Sequence, residues 1–571
     1  MTAPESKKFA QIIKGLSSRD REEKLLAIRA LGILRVPEHA ELLIDLLGSN
    51  DELVVTAVLQ ALGHLRHPKT VKYLLEFLPS ENRTLAATAL EALSRFSFSV
   101  DAVLDQVLKA AGPEQPAPVR QRLMALVGTV KDPRVSAFMC EVIGQTKDPS
   151  LLVEAVRYFV RYPSADRSTI LRMLCGHSQW EVSLLANLAL SRLGDDGARA
   201  QWKRLLKAPA QPIRVFLLEA LNLNPVPADR EAYEVFAQDP HPQVRRLALG
   251  GLRVFSAEER VRFLHDGLTR ERDEGVRAAL LEAALQEKHP SFYPEFLGLL
   301  TSSVEAQKRL GMAGLSAMGE QILPRLLADL PRLALVVKEK VLLVLGNIGG
   351  EKARQALLPF LGARERWLRI NAVEALAATP SPAVLSRLVE MLKHEEDIWV
   401  KASLLSAVAR LGSKAQAPLL LEHLQAKDAR VRANAVEGLW RIGAHDQAGA
   451  LQPLLHDPND RVRVNAAIAL WKMGHREVLG ILSTMLREGT KWVRSSAAFA
   501  LGEIGDKEAT PALLELLSVR EDVVYRNVLE ALGKIGDLRA LIPLLREQER
   551  QRVPEATMNA ILERFTEKLH Q

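Results

Sequence analysis

The sequence contains little cysteine, few aromatic residues and no long apolar segment. Its two cysteines, Cys140 and Cys175, are too few for a disulfide framework, and such residues are usually small buried hydrophobes. No stretch approaches about 20 uninterrupted apolar residues, so no membrane-spanning helix is expected. The first ten residues lack the apolar run of a signal peptide. These features predict a cytoplasmic protein in a reducing compartment.

Recognisable catalytic and metal-binding motifs are also missing. The chain has no Gly-x-x-x-x-Gly-Lys-Ser/Thr phosphate loop and no Gly-x-Ser-x-Gly elbow. It has neither a Cys-x-x-Cys pair nor a His-Glu-x-x-His helix that would suggest zinc. We therefore expect no catalytic residues, no metal site and no cofactor, which favours a protein that is not an enzyme.

What the sequence does contain is one pattern written many times. Its clearest copy runs from Asp457 to Gly474: it opens with Asp-Pro, which favours a turn, and closes with a glycine, which suits the end of a helix. Between them lie apolar residues at the spacing of one buried helical stripe: Val462, Ala466, Leu470 and Met473.

Equivalent anchor positions recur along the whole chain. Neighbouring anchors are 31 or 32 residues apart, except for one step of 30 and one of 34. The anchors are Glu23, Val54, Leu85, Val119, Leu151, Val182, Ile213, Val244, Val276, Gln307, Val337, Leu368, Val400, Val431, Val462, Val493 and Val524. A short Leu-rich helix precedes each anchor helix. Two such helices cannot bury their apolar faces alone, so the period predicts an all-α solenoid of about 17–18 stacked helix pairs.

The repeat resembles the HEAT family, and especially its short variety of about 31 residues first described in phycobilin lyases. The shared pattern is Leu-x-x-Leu-Leu-x-Asp-x-x-x-x-Val-Arg-x-x-Ala-x-x-Ala-Leu-x-x-Ile-Gly. The resemblance covers essentially the whole chain and implies a right-handed superhelix. It says little about activity, because the family serves scaffolding, transport, enzymatic and regulatory roles.

The chain is predicted to form one repeat domain over residues 1–571. Variation among the repeats divides the chain into five segments. They are the N-terminal repeats (1–108), a Pro-rich loop (109–118), the middle repeats (119–360), the consensus-like repeats (361–540) and a C-terminal cap (541–571).

A column of cations follows the anchors in ten successive repeats: Arg214, Arg245, Arg277, Lys308, Lys338, Arg369, Lys401, Arg432, Arg463 and Arg494. The net charge of +7 makes a phosphate-binding stripe one interpretation. The resemblance implies the other, a structural ladder in which each cation pairs with the turn Asp of its own or the adjacent repeat. A second column, Asn371, Asn434, Asn465 and Asn527, is predicted to form hydrogen bonds between stacked repeats.

Tryptophan is concentrated in the consensus-like repeats, where five of the seven tryptophans fall. Three of them, and two arginines, stand one residue before their anchors: Trp367, Trp399, Arg430, Arg461 and Trp492. Two more tryptophans and three cations stand nine or ten residues after the anchors: Trp440, Trp471, Arg410, Arg441 and Lys472. On a helical wheel these positions lie away from the buried stripe. Since Trp and Arg dominate interface hot spots, these ten residues are the predicted partner-binding strip; peripheral packing of the rings is the alternative.

The favoured hypothesis is a non-enzymatic scaffold or adaptor that binds a partner protein on the concave face of the solenoid. A second hypothesis is a nucleic-acid-binding HEAT protein that uses the Arg/Lys column. A third is a lyase-like accessory enzyme.

Overall fold

The computed structural model describes residues 3–98, 100–208, 210–519, 521–550 and 554–570. These residues form helices and connecting turns with no strand, so the predicted all-α fold is confirmed. The chain divides into two compact units, Met1–Glu287 and Lys288–Gln571. Helix pairs continue through both units. The organisation as one domain with five segments stays a prediction.

The described part of the first unit contains eighteen α-helices. In chain order they are α1 (Ala3–Leu16), α2 (Arg21–Leu34), α3 (Ala40–Ile44), α4 (Glu52–Leu65), α5 (Val71–Glu76), α6 (Arg83–Ser94), α7 (Asp101–Ala110), α8 (Ala117–Val127), α9 (Pro133–Gln145), α10 (Pro149–Arg161), α11 (Ser168–Leu174), α12 (Trp180–Ser191), α13 (Asp196–Lys203), α14 (Gln211–Leu223), α15 (Arg230–Phe236), α16 (Pro242–Ala248), α17 (Ala257–Arg270) and α18 (Glu274–Glu287).

Seventeen α-helices follow in the described part of the second unit. They are α19 (Tyr293–Leu299), α20 (Glu305–Met318), α21 (Leu323–Asp329), α22 (Leu335–Ile348), α23 (Gly350–Leu357), α24 (Arg366–Ala377), α25 (Pro382–His394), α26 (Ile398–Leu411), α27 (Ala417–Leu421), α28 (Ala429–Arg441), α29 (Asp460–Lys472), α30 (Val478–Glu488), α31 (Lys491–Ile504), α32 (Thr510–Leu514), α33 (Asp522–Ile535), α34 (Leu541–Glu549) and α35 (Glu555–His570).

Local sequence explains where the anchor helices begin and end. Side chains at the N-cap accept hydrogen bonds from the first free N–H groups, as Asp397 does in α26 and Asn459 in α29. Gly505 and Gly536 end α31 and α33 with positive φ angles of 76° and 65°, which glycine adopts without steric cost. Of the stripe that defines the repeat, Val462, Ala466 and Leu470 are fully buried.

The preceding helices are shorter and less regular. Helices α27 and α32 have five residues each, and residues 448–456 before α29 form 3-10 turns instead of an α-helix. Pro453 lacks the N–H that an α-helical turn would need there. The predicted Pro-rich loop is confined to residues 111–116, because α7 ends at Ala110 and α8 begins at Ala117.

Successive anchor helices of the second unit stack side by side in the order α20, α22, α24, α26, α28, α29, α31 and α33, and α35 packs on α33. Glycine allows the closest approaches. A Cβ built on Gly502 of α31 would lie 2.8 Å from Cα of Ala531 in α33, and one on Gly346 of α22 would lie 2.7 Å from Cα of Ala375 in α24. The last helix, α35, is packed in the same way, with Met558, Ile561 and Phe565 buried.

We predict that Gly502→Ala destabilises the protein by about 1–3 kcal/mol, because the added methyl group would force two helix backbones apart. Gly480→Ala is the matched control: Gly480 lies in α30 with nothing within 4 Å of its Cβ position, so alanine should stabilise by about 0.5–1 kcal/mol. Urea unfolding of both variants measures the difference. Equal shifts of the two midpoints would contradict the close-packing account.

Candidate partner-binding surface

Three tryptophans of the predicted strip are exposed in the first turns of anchor helices. The three are Trp367 in α24, Trp399 in α26 and Trp492 in α31, and their exposed fractions are 52%, 42% and 59%. Large apolar side chains at this exposure retain much of their contact area for another molecule. The prediction that these three rings lie outside the core is confirmed.

Two of these rings and one arginine form a continuous stack. The ring centroids of Trp367 and Trp399 are 6.4 Å apart at an interplanar angle of 46°, and the Arg430 guanidinium lies 3.6 Å from the Trp399 centroid. Arg430 also donates to Asp428 at 3.1 and 2.9 Å. That hydrogen bonding lowers the pKa of Asp428, so the pair is ionised at neutral pH. The stack therefore presents an ordered cation beside two aromatic faces.

Beyond the stack, two cations lack carboxylate partners within the described residues: Arg461 of the strip, and Lys491, which is not one of the ten predicted residues but precedes Trp492. Arg461 donates to the Asn434 side chain at 3.3 Å, and the Lys491 ammonium lies 5.4 Å from the Trp492 ring centroid. An ammonium or guanidinium in this position attracts an acidic group from solvent. This end of the strip is therefore aromatic and positively charged.

The two tryptophans nine residues after their anchors have different surroundings. Trp471 is only 9% exposed and is covered by Arg476 at 3.9 Å, while Trp440 is half-buried beside Arg441 at 5.5 Å. The prediction that Trp471 lies away from the core is wrong. A helical wheel marks only the face that meets the preceding helix, whereas a stacked helix is also covered on its flanks by the helices of adjacent repeats.

The three cations ten residues after the anchors are all exposed, but two of them are paired. Arg410 binds Glu374 of the preceding repeat at 2.5 Å, and Arg441 binds Glu437 one turn earlier at 2.8 Å. Lys472 is exposed. Exposed pairs contribute little to stability, and a partner's carboxylate can compete for them.

Sequence reasoning missed three aliphatic residues next to the tryptophans. Leu335 and Val336 open α22, and Ile398 opens α26; all three are exposed. Val336 stands one residue before its anchor, in the tryptophan column, whereas Leu335 and Ile398 stand two residues before theirs. Examining both positions for every apolar residue, and not for tryptophan alone, would have found them. We call Leu335, Val336, Trp367, Ile398, Trp399, Arg430, Arg461 and Trp492 the first-turn strip.

Four of the ten cations in the column that follows the anchors are held between adjacent repeats. Arg432 binds the Asp457 carboxylate of the next turn at 2.8 and 2.7 Å and donates to the Ala426 and Lys427 carbonyls of its own turn. Three other arginines of the column also bind both a carboxylate of the next repeat and a main-chain carbonyl of their own turn: Arg214, Arg245 and Arg369. These contacts support the structural ladder.

A cation of this column contacts the turn Asp of its own repeat and that of the adjacent repeat through different atoms. Arg463 and Arg245 do bond the turn residue six positions earlier, Asp457 and Asp239, but they bond its main-chain carbonyl. The carboxylates of those two residues bind the cation of the preceding repeat, Arg432 and Arg214. Each rung therefore joins two repeats.

The asparagine column forms the predicted hydrogen bonds between repeats. Each amide nitrogen donates to the main-chain carbonyl 32 residues earlier in the chain, at 2.8–3.2 Å. The pairs are Asn371 with Glu339, Asn434 with Ala402, Asn465 with Ala433, and Asn527 with Ser495. This prediction is confirmed.

Searches for other kinds of site gave two observations on the described residues. No group of three or more His, Cys, Asp or Glu side chains is arranged to hold a metal ion. No helix there is both long and apolar enough to cross a membrane.

The repeats of this chain match those of a known family. The sequence pattern of HEAT repeats matches residues 9–94, 323–409, 417–498 and 480–561, more than half of the chain. The chain belongs to the HEAT-repeat family. It is an α-solenoid built from HEAT repeats, as the sequence predicts.

Several solved structures resemble this HEAT solenoid, although no curated protein matches its sequence. Kap95p, solved with RanGDP, is 15% identical over 99% of this chain and 87% of its own, with a TM-score of 0.35. The karyopherin Kap121p, bound to the extreme C-terminus of the phosphatase Cdc14p, is 14% identical over 99% and 75%, with a TM-score of 0.32. YibA of Escherichia coli is 21% identical over 46% and 98%, with a TM-score of 0.31. These likenesses concern the fold alone.

We predict that Arg432→Met lowers the free energy of unfolding by about 2–4 kcal/mol, because it leaves Asp457 buried without its cation and two turn carbonyls without a donor. Arg387→Met, on the exposed face of α25, is the control and should change stability by less than about 0.5 kcal/mol. Urea unfolding at neutral pH measures both. Similar midpoints for the two variants would show that the column is not a ladder.

The ladder should also make stability depend on pH. Hydrogen bonds from Arg245, at 2.8 and 2.7 Å, and from the Asp273 N–H hold the pKa of Glu271 below its ordinary value of 4.5. The stabilisation of the folded state by the ionised Glu271 is therefore present at neutral pH and is lost as the pH falls through the folded-state pKa of Glu271. Arg245→Met should lower stability at pH 7 and flatten its decline between pH 6 and pH 3. An unchanged acid slope would contradict this coupling.

Proposed function

We propose that this HEAT protein is a non-enzymatic cytoplasmic scaffold or adaptor that binds a partner protein on the first-turn strip. The observation that carries the proposal is the exposed stack of Trp367, Trp399 and Arg430 at the starts of stacked helices. Aromatic rings and arginines in such arrangements form the energetic centres of protein interfaces.

The composition of the strip indicates the kind of partner segment it would bind. Its Leu335 to Trp399 part is apolar, whereas Arg461, together with Lys491 beside the strip, adds positive charge that described carboxylates do not neutralise. A helix or extended segment with apolar anchors followed by acidic residues is complementary to both parts. The regular step between repeats would set the spacing of those anchors.

Nucleic-acid binding through the cationic column has less support. The best-defined cations of that column, Arg214, Arg245, Arg369 and Arg432, use their guanidinium groups on turn carbonyls and on carboxylates of the next repeat. Binding phosphates would require breaking these pairs. Arg461 and Lys491 would supply fewer charges than the whole column.

The proposal predicts that Trp399→Ala/Trp492→Ala abolishes partner capture. Wild-type protein and the variant are used as affinity baits in cytosol from the native source, with and without nuclease, and the bound proteins are identified. Removal of two exposed rings should eliminate a nuclease-resistant partner, because hot-spot truncation typically weakens binding by at least 2 kcal/mol. Trp180→Ala is the matched control, since Trp180 is an exposed tryptophan of α12, far from the strip in sequence.

Two results would contradict the scaffold proposal. Equal losses with the Trp180 control and the double variant would show that the strip has no special role. Recovery of nucleic acid, with proteins released by nuclease and binding that falls steeply with salt, would favour the cationic surface instead.

A further inference from the structure

A cavity of about 610 Å³ lies within the first unit, between α15, α16, α17 and α18. It shares no residue with the first-turn strip. Its volume is within the range of pockets that hold small molecules. Its walls therefore indicate which small molecules it could accept.

The local sequence explains why these helices leave a space. Helix α16 ends at Ala248 and continues as a 3-10 helix over Leu249–Val254. A Cβ on Gly251 would overlap the buried Tyr233 ring, so this turn packs on Tyr233 only because it carries glycine. The next helix, α17, has 14 residues, compared with five in α27 or α32.

One face of α17 lines the cavity along most of the helix. The lining residues follow helical steps of three and one: Glu259, Arg262, Phe263, Asp266, Gly267 and Arg270. The twelve residues from Glu259 to Arg270 span about 18 Å of helix. The cavity therefore has the form of a trough with one continuous helical wall.

The floor of the trough is apolar and aromatic. The ring centroids of Phe255 and Phe263 are 5.1 Å apart at an angle of 42°, and Leu249, Val276 and Leu280 complete the apolar lining. The Arg230 guanidinium lies 5.5 Å from the Phe255 ring centroid. A flat apolar group could pack on this floor.

Most carboxylates that line the trough are already engaged. Glu271 is bound by Arg245, Asp239 by Arg214 at 2.6 and 3.1 Å, and Glu234 by Arg230 at 2.8 Å. Glu259 accepts from the Ser256 N–H at 2.9 Å and from Arg230. Because Arg230 alone pairs with both Glu234 and Glu259, these two carboxylates keep one negative charge between them, whereas Glu271 and Asp239 are each neutralised by an arginine of their own.

The cations at the rim are not neutralised in this way. Arg262, Arg270 and Arg272 are exposed, and none of them forms an ion pair with a described residue. Asp266, one helical turn from both Arg262 and Arg270, is the single lining carboxylate without a described partner. The rim therefore carries an excess of positive charge above an apolar floor.

We propose that this trough binds a small organic anion in which a phosphate or carboxylate group is attached to a flat apolar body. The anionic group is held by Arg262 and Arg270, whose planar guanidinium groups match phosphate and carboxylate oxygens. The apolar body packs on Phe255 and Phe263. This binding is independent of the partner-binding strip.

Isothermal titration calorimetry with three probes tests the proposal: 1-naphthyl phosphate carries both features, 1-naphthol only the ring, and inorganic phosphate only the anion. We expect one molecule of 1-naphthyl phosphate per chain, bound at least tenfold more tightly than either fragment. Arg262→Gln/Arg270→Gln should weaken naphthyl phosphate binding at least tenfold, because charge-assisted hydrogen bonds are lost. Arg309→Gln/Arg387→Gln removes two exposed cations of the second unit and should change nothing.

Three results would overturn the proposal. The first is that naphthyl phosphate shows no saturable binding up to millimolar concentration. The second is that both double variants weaken naphthyl phosphate binding equally. The third is that the protein binds 1-naphthol and 1-naphthyl phosphate with equal affinity. If the Arg262/Arg270 variant fails to fold by circular dichroism, the single variants Arg262→Gln and Arg270→Gln are tested, and each should still weaken naphthyl phosphate binding. Phe263→Ala should weaken naphthyl phosphate without changing the affinity for inorganic phosphate.

Discussion

The repeat stack depends on an ion pair between adjacent repeats. It joins an arginine at the start of one anchor helix to a carboxylate in the turn of the following repeat. An arginine just after the anchor closes the turn of its own repeat through main-chain carbonyls and simultaneously binds a carboxylate of the following repeat, as Arg432 does with Asp457. Apolar burial holds helices together but has no direction, whereas this bidentate contact fixes how far one repeat is offset from the next. The asparagine hydrogen bonds add a second fixed contact between anchor helices.

This division of roles explains why the surface carries the residues it does. Four cations of the ladder column bind carboxylates of the next repeat and add no free positive charge to the surface: Arg214, Arg245, Arg369 and Arg432. The first turns of the anchor helices lie one or two residues earlier and remain open to solvent at Trp367, Trp399 and Trp492. Rings there add little to the core and are accessible to the partner that we propose.

The fold could be predicted from sequence because a period of about 31 residues repeats the same local rules. The ladder and the asparagine bonds could also be anticipated, since equivalent residues in stacked repeats must meet. The burial of Trp471 could not be predicted, because a helical wheel drawn for one helix omits the helices on its flanks. Neither could the trough beside α17, which lies where α16 gives way to a 3-10 helix whose Gly251 packs on Tyr233.

The central claim is that the tryptophans of the first-turn strip serve binding and not packing, and equilibrium unfolding tests it most directly. Trp202 is fully buried and donates to Ser191, so Trp202→Ala should cost about 3–5 kcal/mol. Trp367→Ala and Trp492→Ala should each cost less than half as much in the same urea titration. If either variant destabilises the protein as strongly as Trp202→Ala, its ring is part of the core and the binding account is wrong.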